Sequence, residues 1–250
     1  MTNKLKYGII GAGHLGNYHA QQLNNVGSAK LVGVFDLQQD KAEKFSKIYN
    51  IKHYATLNDL LTACNAVSIT TPASVHFEAT RFALLAGCHV FVEKPFTHRI
   101  DEAKKLITLQ NQKNLKVQVG HIERFNAAFA NYINNVPNPV FIESHRLCSY
   151  NDRGLDVDVI LDLMIHDIDL ILQLNNSPIK SIVASGAAIL TNSLDMATAR
   201  IEFENTVAAN ITASRISLKQ MRQMRVFEKN SYSVIDFQKH SLQNTSRSVC

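Results

Sequence analysis

The chain has 250 residues, 46% of them hydrophobic and 19% charged, with 26 Lys and Arg against 21 Asp and Glu for a net charge of +5. A chain this apolar buries a real core, which excludes wholesale disorder, and its length suits one large domain or two modest ones. No apolar run approaches the roughly 20 residues of a membrane helix, and the polar residues 1–6 lead into a strand rather than a signal-peptide pattern.

Taken in chain order, the first 120 residues alternate short apolar runs with stretches of helical periodicity. Residues 6–10 read as a strand, 14–25 as a helix, 31–35 as a strand and 39–48 as a helix. Residues 66–70 form the next strand, 75–86 a helix closed by Gly87, 89–92 a strand, 101–111 a helix and 115–119 the last strand of the series. Runs that are apolar throughout belong to strands covered on both faces, and helices between them make the sheet parallel. The pattern predicts an α/β fold, a doubly wound dinucleotide-binding domain over residues 1–120.

After Gly120 the texture changes. Residues 140–147 read as a strand and 157–174 as one long apolar helix. Strand-like runs follow at 183–189, 197–203, 206–213, 224–227 and 232–237, joined by short turns such as Glu204-Asn205. This predicts a second, smaller α+β domain over residues 121–250, with an open mixed or antiparallel sheet built as a meander. The polar residues 238–250 are expected to be a frayed tail.

Basic residues are scattered, apart from Lys104-Lys105 and the group Lys219, Arg222 and Arg225. Nucleic acid would want a concentrated, aromatic-interleaved patch, so no nucleic-acid partner is expected; the positive surplus suits an anionic small molecule such as a nucleotide. Cys64, Cys88, Cys148 and Cys250 lie far apart with no C-x-x-C pair, and read as isolated thiols of a reducing, cytoplasmic compartment.

Gly11-Ala12-Gly13-His14-Leu15-Gly16 is a G-x-G-x-x-G that follows a strand and opens a helix. The first glycine makes the tight turn, the second admits a pyrophosphate, and the third lets helix and strand pack closely. Asp36 lies 20 residues past Gly16, at the end of the second strand, where a carboxylate binds ribose hydroxyls. Leu37-Gln38-Gln39-Asp40 includes no arginine for a 2′-phosphate, so NAD is expected in preference to NADP. A carboxylate there also suits adenosine in a non-redox ligand.

Two further strand ends point at the same crevice: Thr70-Thr71-Pro72 and Glu93-Lys94-Pro95. A lysine beside a nicotinamide can hydrogen-bond a substrate hydroxyl and lower its pKa. On the long helix, Asp158, Asp162, His166, Asp169 and Gln173 recur at spacings of four, four, three and four, which places them on one α-helical face. One reading is a core helix with a solvated edge. The other is a helix lining a cleft, with His166 as acid/base and Asp162 holding its tautomer. A metal site ranks last, because no cysteine or second histidine is in phase. Arg124 can clamp a phosphate or carboxylate, or make a structural ion pair. Arg153 is a second candidate for an anionic substrate, and Asp158 a third substrate-side group.

From residue 6 to about 237 these motifs resemble the Gfo/Idh/MocA oxidoreductase family. The carriers are the glycine motif, Thr71-Pro72 with His76, Glu93-Lys94-Pro95, and Asp162-Leu163-Met164-Ile165-His166-Asp167-Ile168-Asp169. The resemblance implies a Rossmann domain followed by an open-faced mixed sheet that often mediates oligomers, so a homo-oligomer is expected. It also implies hydride transfer between a nicotinamide and a sugar or cyclitol carbinol. Lys94 and His166 would face the reacting hydroxyl, Asp162 would support His166, and His76 and Glu93 would lie among the cofactor contacts.

A narrower likeness lies in Gly120-His121-Ile122-Glu123-Arg124-Phe125-Asn126, in the run from Asp156 to Asp167, and in Ala213-Ser214-Arg215. These resemble the branch that oxidises C3 of UDP-N-acetylglucosamine, whose keto product is aminated on the way to lipid A. A nucleotide sugar is the substrate this implies. Family members usually continue several tens of residues further, and the alternative is a non-catalytic dinucleotide-binding regulator or an inactive truncated relative. Lys94 and His166 argue against it, since a sensor needs neither.

Overall fold

A computed structural model of the chain describes residues 4–135, 137–151 and 156–246. Two compact units divide it, Met1–Gly120 and His121–Cys250. The first runs β1 (Leu5–Ile10), α1 (His14–Asn24), β2 (Ala29–Phe35), α2 (Gln39–Tyr49), β3 (Lys52–His53), α3 (Leu57–Ala63), β4 (Ala66–Ile69), α4 (His76–Leu85), β5 (His89–Val92), α5 (Ile100–Lys113) and β6 (Val117–Val119). Its six strands are parallel in the order β3-β2-β1-β4-β5-β6. Burial on both faces explains the continuously apolar strands. Ile9, Leu31 and Val34 pack with Ala20 of α1 and Phe45 of α2. Ile10, Ile69 and Val90 pack with Leu60 and Leu61 of α3, Ala83 of α4 and Leu106 of α5. Asn50 and Asn114, at φ near 51°, end α2 and α5 in the left-handed conformation. The two-residue β3 and the seven-residue α3 escaped the periodicity reading because neither is long enough to show a period, although the Thr56 hydroxyl caps α3 at the Asp59 N–H.

The second unit begins with a 3-10 turn, Ile122–Phe125, and continues through α6 (Ala127–Ile133), β7 (Phe141–Leu147), a π turn (Ile160–Met164), α7 (Ile165–Leu174), β8 (Ile179–Ala187), β9 (Met196–Phe203), β10 (Ala208–Ser214), β11 (Met221–Phe227), β12 (Ser231–Asp236) and β13 (Ser241–Ser246). The seven strands lie in the order β13-β12-β11-β7-β10-β9-β8. All neighbours are antiparallel except β7 and β10, which are parallel. The sheet is therefore mixed rather than a pure meander, because a parallel pair cannot be closed by a hairpin, and the chain between the two strands passes through α7, β8 and β9. Ile142, Ile211, Met224 and Val226 face the helices and pack with Phe129, Tyr132, Leu170 and Ile171. The alternate residues Glu143, His145, Asn210 and Thr212 line the open face.

Two expectations are corrected here. Residues 157–174 are not one α-helix: a π turn precedes α7. Residues 241–246, expected to fray, pair in register with β12 from Asp236↔Ser241 to Ser231↔Ser246. Their polar composition hid an edge strand whose Leu242 packs on the core. Among the described residues no helix is long and apolar enough to cross a membrane.

Candidate functional site

In the first unit the strand order reverses between β1 and β4, and the glycine loop lies at the ends of those two strands. Gly11 has φ +105°, and a Cβ there would stand 2.9 Å from the Thr70 carbonyl carbon and oxygen. At Gly16 a Cβ would meet the Gly11 carbonyl oxygen at 2.2 Å, whereas at Gly13 it would meet nothing within 4 Å. The second glycine thus faces open space while the other two permit close approach. Asp36 is fixed by backbone donors: the Ala12 N–H gives to one carboxylate oxygen and the Gln38 N–H to the other, both at 2.8 Å. Lone pairs remain for sugar hydroxyls. A cavity of about 510 Å³ is bordered by Gly11, Gly13, His14, Leu15, Asp36, Thr71 and Pro72. Open space over Gly13, the N-terminus of α1 and a pre-oriented carboxylate are what a dinucleotide requires. Lys41, the residue after Leu37-Gln38-Gln39-Asp40, also borders this cavity.

Two of the expected cofactor contacts, Thr70 and His76, tie loops together, and Thr70 also borders the cavity. The buried Thr70 hydroxyl donates to the Gly11 carbonyl at 2.8 Å. His76, 1% exposed, sets its ring nitrogens 2.7 Å from the Pro95 carbonyl and 3.0 Å from the Thr71 carbonyl. It staples the Thr71-Pro72 turn to the Glu93-Lys94-Pro95 turn rather than lining the cavity. Lys94, half-buried, follows β5, and the Lys94–Pro95 peptide is cis. Glu93 is held by a histidine that pattern reading missed: His19 Nε2 lies 2.9 Å from Glu93 Oε1, and His19 Nδ1 lies 2.9 Å from the Ser68 hydroxyl. Ser68 reaches on to the Tyr7 hydroxyl at 3.3 Å. The signal was present in the sequence, since His19 sits on the same face of α1 as Gly16 and next to buried Ala20. Gly120 packs under the same carboxylate, where a Cβ would come 3.0 Å from Glu93 Oε2.

In the second unit the π turn breaks the predicted stripe into separate tasks. Asp158 caps the segment, its Oδ1 accepting from the Ile160 and Leu161 N–H groups at 3.0 Å each. One carboxylate oxygen of this residue, expected on the substrate side, is thus engaged in the cap. Asp162 lies in the π turn and His166 in the first turn of α7, four residues on; both are half-buried. Asp169 is gripped by Arg124 through Nε at 2.7 Å and a terminal nitrogen at 2.5 Å, with His121 Nδ1 at 3.8 Å. Arg124 is therefore a structural fork on α7 rather than a free anion clamp. Arg153 and Cys250 lie outside the described residues.

The strongest clamp on α7 escaped prediction. Arg146 of β7, 2% exposed, makes a bidentate pair with Asp167, 1% exposed, at 2.9 and 3.1 Å. Its third contact is Glu123 at 2.8 Å. Arg215 and Asp195, both buried, form a second hub. Arg215 donates to Asp195 at 3.1 Å and to the Val157 carbonyl at 3.0 Å, tying the approach to the π turn to β10. Burial pushes the Cys148 thiol pKa up; the Asp162 charge adds to this, and Arg222 and Arg215 oppose it. Among the described residues no group of three or more His, Cys, Asp or Glu side chains converges as a metal site requires.

Residues 5–121 match the model of the GFO/IDH/MocA oxidoreductase family with an NAD-binding Rossmann fold, and residues 116–231 match the C-terminal domain of that family. The UDP-N-acetylglucosamine 3-dehydrogenase of Acidithiobacillus ferrooxidans is 38% identical over 240 residues, which cover 95% of this chain and 76% of that enzyme. The scyllo-inositol 2-dehydrogenase (NAD(+)) of Bacillus subtilis is 29% identical over 243 residues, covering 87% and 69% respectively. A solved structure of the Acidithiobacillus enzyme matches with a TM-score of 0.92 at 37% identity, over 98% of this chain and 80% of that one.

Proposed function

The chain belongs to the Gfo/Idh/MocA family of NAD-binding oxidoreductases, and from that premise we propose that it oxidises the C3 hydroxyl of UDP-N-acetylglucosamine in the cytoplasm. The observation that carries the substrate is 38% identity, sustained over 95% of the chain, to an enzyme of that activity. The glycine loop, Asp36 and the Thr71-Pro72 turn hold the dinucleotide.

Bound there, NAD supplies the acceptor for the hydride that leaves the sugar carbon. The remaining work falls to the chain's own side chains. His166 takes the hydroxyl proton, and Asp162, across the π-to-α junction, orients the imidazole. The Lys94 ammonium donates a hydrogen bond to the same oxygen and stabilises the developing alkoxide. Glu93, held by His19, fixes the approach to Lys94. Arg146 and Arg124, paired with Asp167 and Asp169, keep the helix that carries His166 from rotating. The keto product is a substrate for transamination, the step leading towards the diamino sugar of lipid A.

The test is absorbance of NADH with purified protein, NAD and UDP-N-acetylglucosamine, with an aminotransferase present to draw off the ketone. NADH should form, should not form with Lys94→Ala, and should form about 10²–10⁴-fold more slowly with His166→Ala, while calorimetry shows unchanged NAD affinity. Wild-type turnover in His166→Ala removes the proposed base. NAD binding without NADH formation removes UDP-N-acetylglucosamine as the substrate.

A further inference from the structure

We propose that a groove of the second unit, between the 3-10 turn Ile122–Phe125 and the β11–β12 end of the sheet, binds the nucleoside diphosphate of the substrate. Arg222 would take the diphosphate and Phe125 the base; the inference rests on the nucleotide-sugar reading above. The groove has a volume of about 700 Å³ and is bordered by Ile122, Phe125, Arg222, Phe237, Gln238 and His240.

The turn presents its apolar side chains on a fixed support. Its two charged residues are engaged, Glu123 with Arg146 and Arg124 with Asp169. Ile122 and Phe125 project instead, 72% and 78% exposed. Water is a poor neighbour for a phenyl ring held in this way, whereas the flat face of a nucleobase is a good one, and stacking accepts any base.

Arg222 faces Arg146 directly across the β7–β11 pair, so both side chains leave the sheet on the face that carries α7. Their environments differ. Arg146 is buried against two carboxylates, with its guanidinium 5.5 Å from the centre of the Phe237 ring. Arg222 is exposed, and among the described residues no carboxylate forms an ion pair with it. A solvent-facing guanidinium beside an aromatic floor matches the bidentate geometry of a diphosphate. Gln238 and His240 add polar groups for the edges of base and ribose. The position also suits the reaction, because Arg222 lies directly across from Arg146, which holds Asp167, the neighbour of His166 on α7. A diphosphate on C1 of a sugar is only a ring's width from C3, so the cation belongs near the acid/base helix. Arg124, the cation expected from the sequence, is occupied by Asp169.

The experiment is calorimetric titration of UDP into the full chain with NAD present, beside KM and kcat for UDP-N-acetylglucosamine. Arg222→Gln should weaken UDP about 10–100-fold, and Phe125→Ala about 5–100-fold. KM should rise by similar factors with kcat and NAD affinity retained. Arg225→Gln, on the opposite face of β11, should bind UDP as the wild type does. UDP binding that is absent in the wild type, unchanged in Arg222→Gln, or weakened equally by Arg225→Gln overturns the groove. Arg222-dependent UDP binding without NADH formation keeps the groove and rejects the C3 reaction. NADH formation with an unchanged KM in both groove variants does the reverse.

Discussion

Replacing Asp167 with Asn removes one charge and almost no volume from beneath the helix that carries His166. Arg146 would keep a single carboxylate, Glu123, at 2.8 Å, while its Nε and one terminal nitrogen would face an amide able to accept only through its oxygen. Breaking a buried ion pair from one side costs about 3–5 kcal/mol, because the remaining charge keeps its desolvation penalty. Glu123 still compensates part of the guanidinium, so the lower end, about 3 kcal/mol, is expected. For a protein of this size each kcal/mol moves a melting temperature by about 2–4 °C, which gives a fall of about 6–12 °C. The chain contains no tryptophan, so differential scanning calorimetry or circular dichroism is the natural assay. With two units, the transition to follow is the one assigned to the second. A double variant, Arg146→Met with Asp167→Leu, should recover most of the loss, since Glu123 at the rim, 13% exposed, can hydrate. Melting of Asp167→Asn within about 2 °C of wild type, under 1 kcal/mol by the same conversion, would refute the reasoning.

Gly16→Ala places a Cβ 2.2 Å from the Gly11 carbonyl oxygen, so either α1 must lift from β1 or the glycine turn must open. NAD affinity should fall at least about tenfold by calorimetry, as expected when a phosphate-binding turn is displaced; wild-type affinity contradicts that packing. Asp195 is buried, which alone would raise its pKa, yet the N–H groups of Ile189, Thr191 and Leu190 and the Thr191 hydroxyl hold it well below the usual carboxylate range. An unfolded aspartate titrates near about 3.9, so below that pH the unfolded chain binds more protons and this stabilisation declines. At neutral pH it is fully present. The melting-temperature gap between wild type and Asp195→Asn should therefore be widest above about pH 5 and narrow below about pH 4; a gap that does not change with pH rejects the role of the charge.

What the sequence determined by itself was local. Continuous apolar strands, the glycine spacing and a carboxylate 20 residues on specify a βαβ dinucleotide site, because each signal spans a few residues or one turn of chain. Lys94, Asp162 and His166 were singled out from motifs that are equally local. The α-helical period then misled, since a π turn over Ile160–Met164 adds residues per turn and puts Asp158, a cap, out of phase with α7, where Asp169 is taken up by Arg124. Only the tertiary structure decided the partners: Arg146 with Asp167, 21 residues apart, His19 with Glu93, 74 apart, and the parallel pairing of β7 with β10. No periodicity encodes such contacts. They exist because a charge or imidazole carried into a closing core must meet its counterpart there or remain in water, and which counterpart it meets is set by how the strands have already aligned.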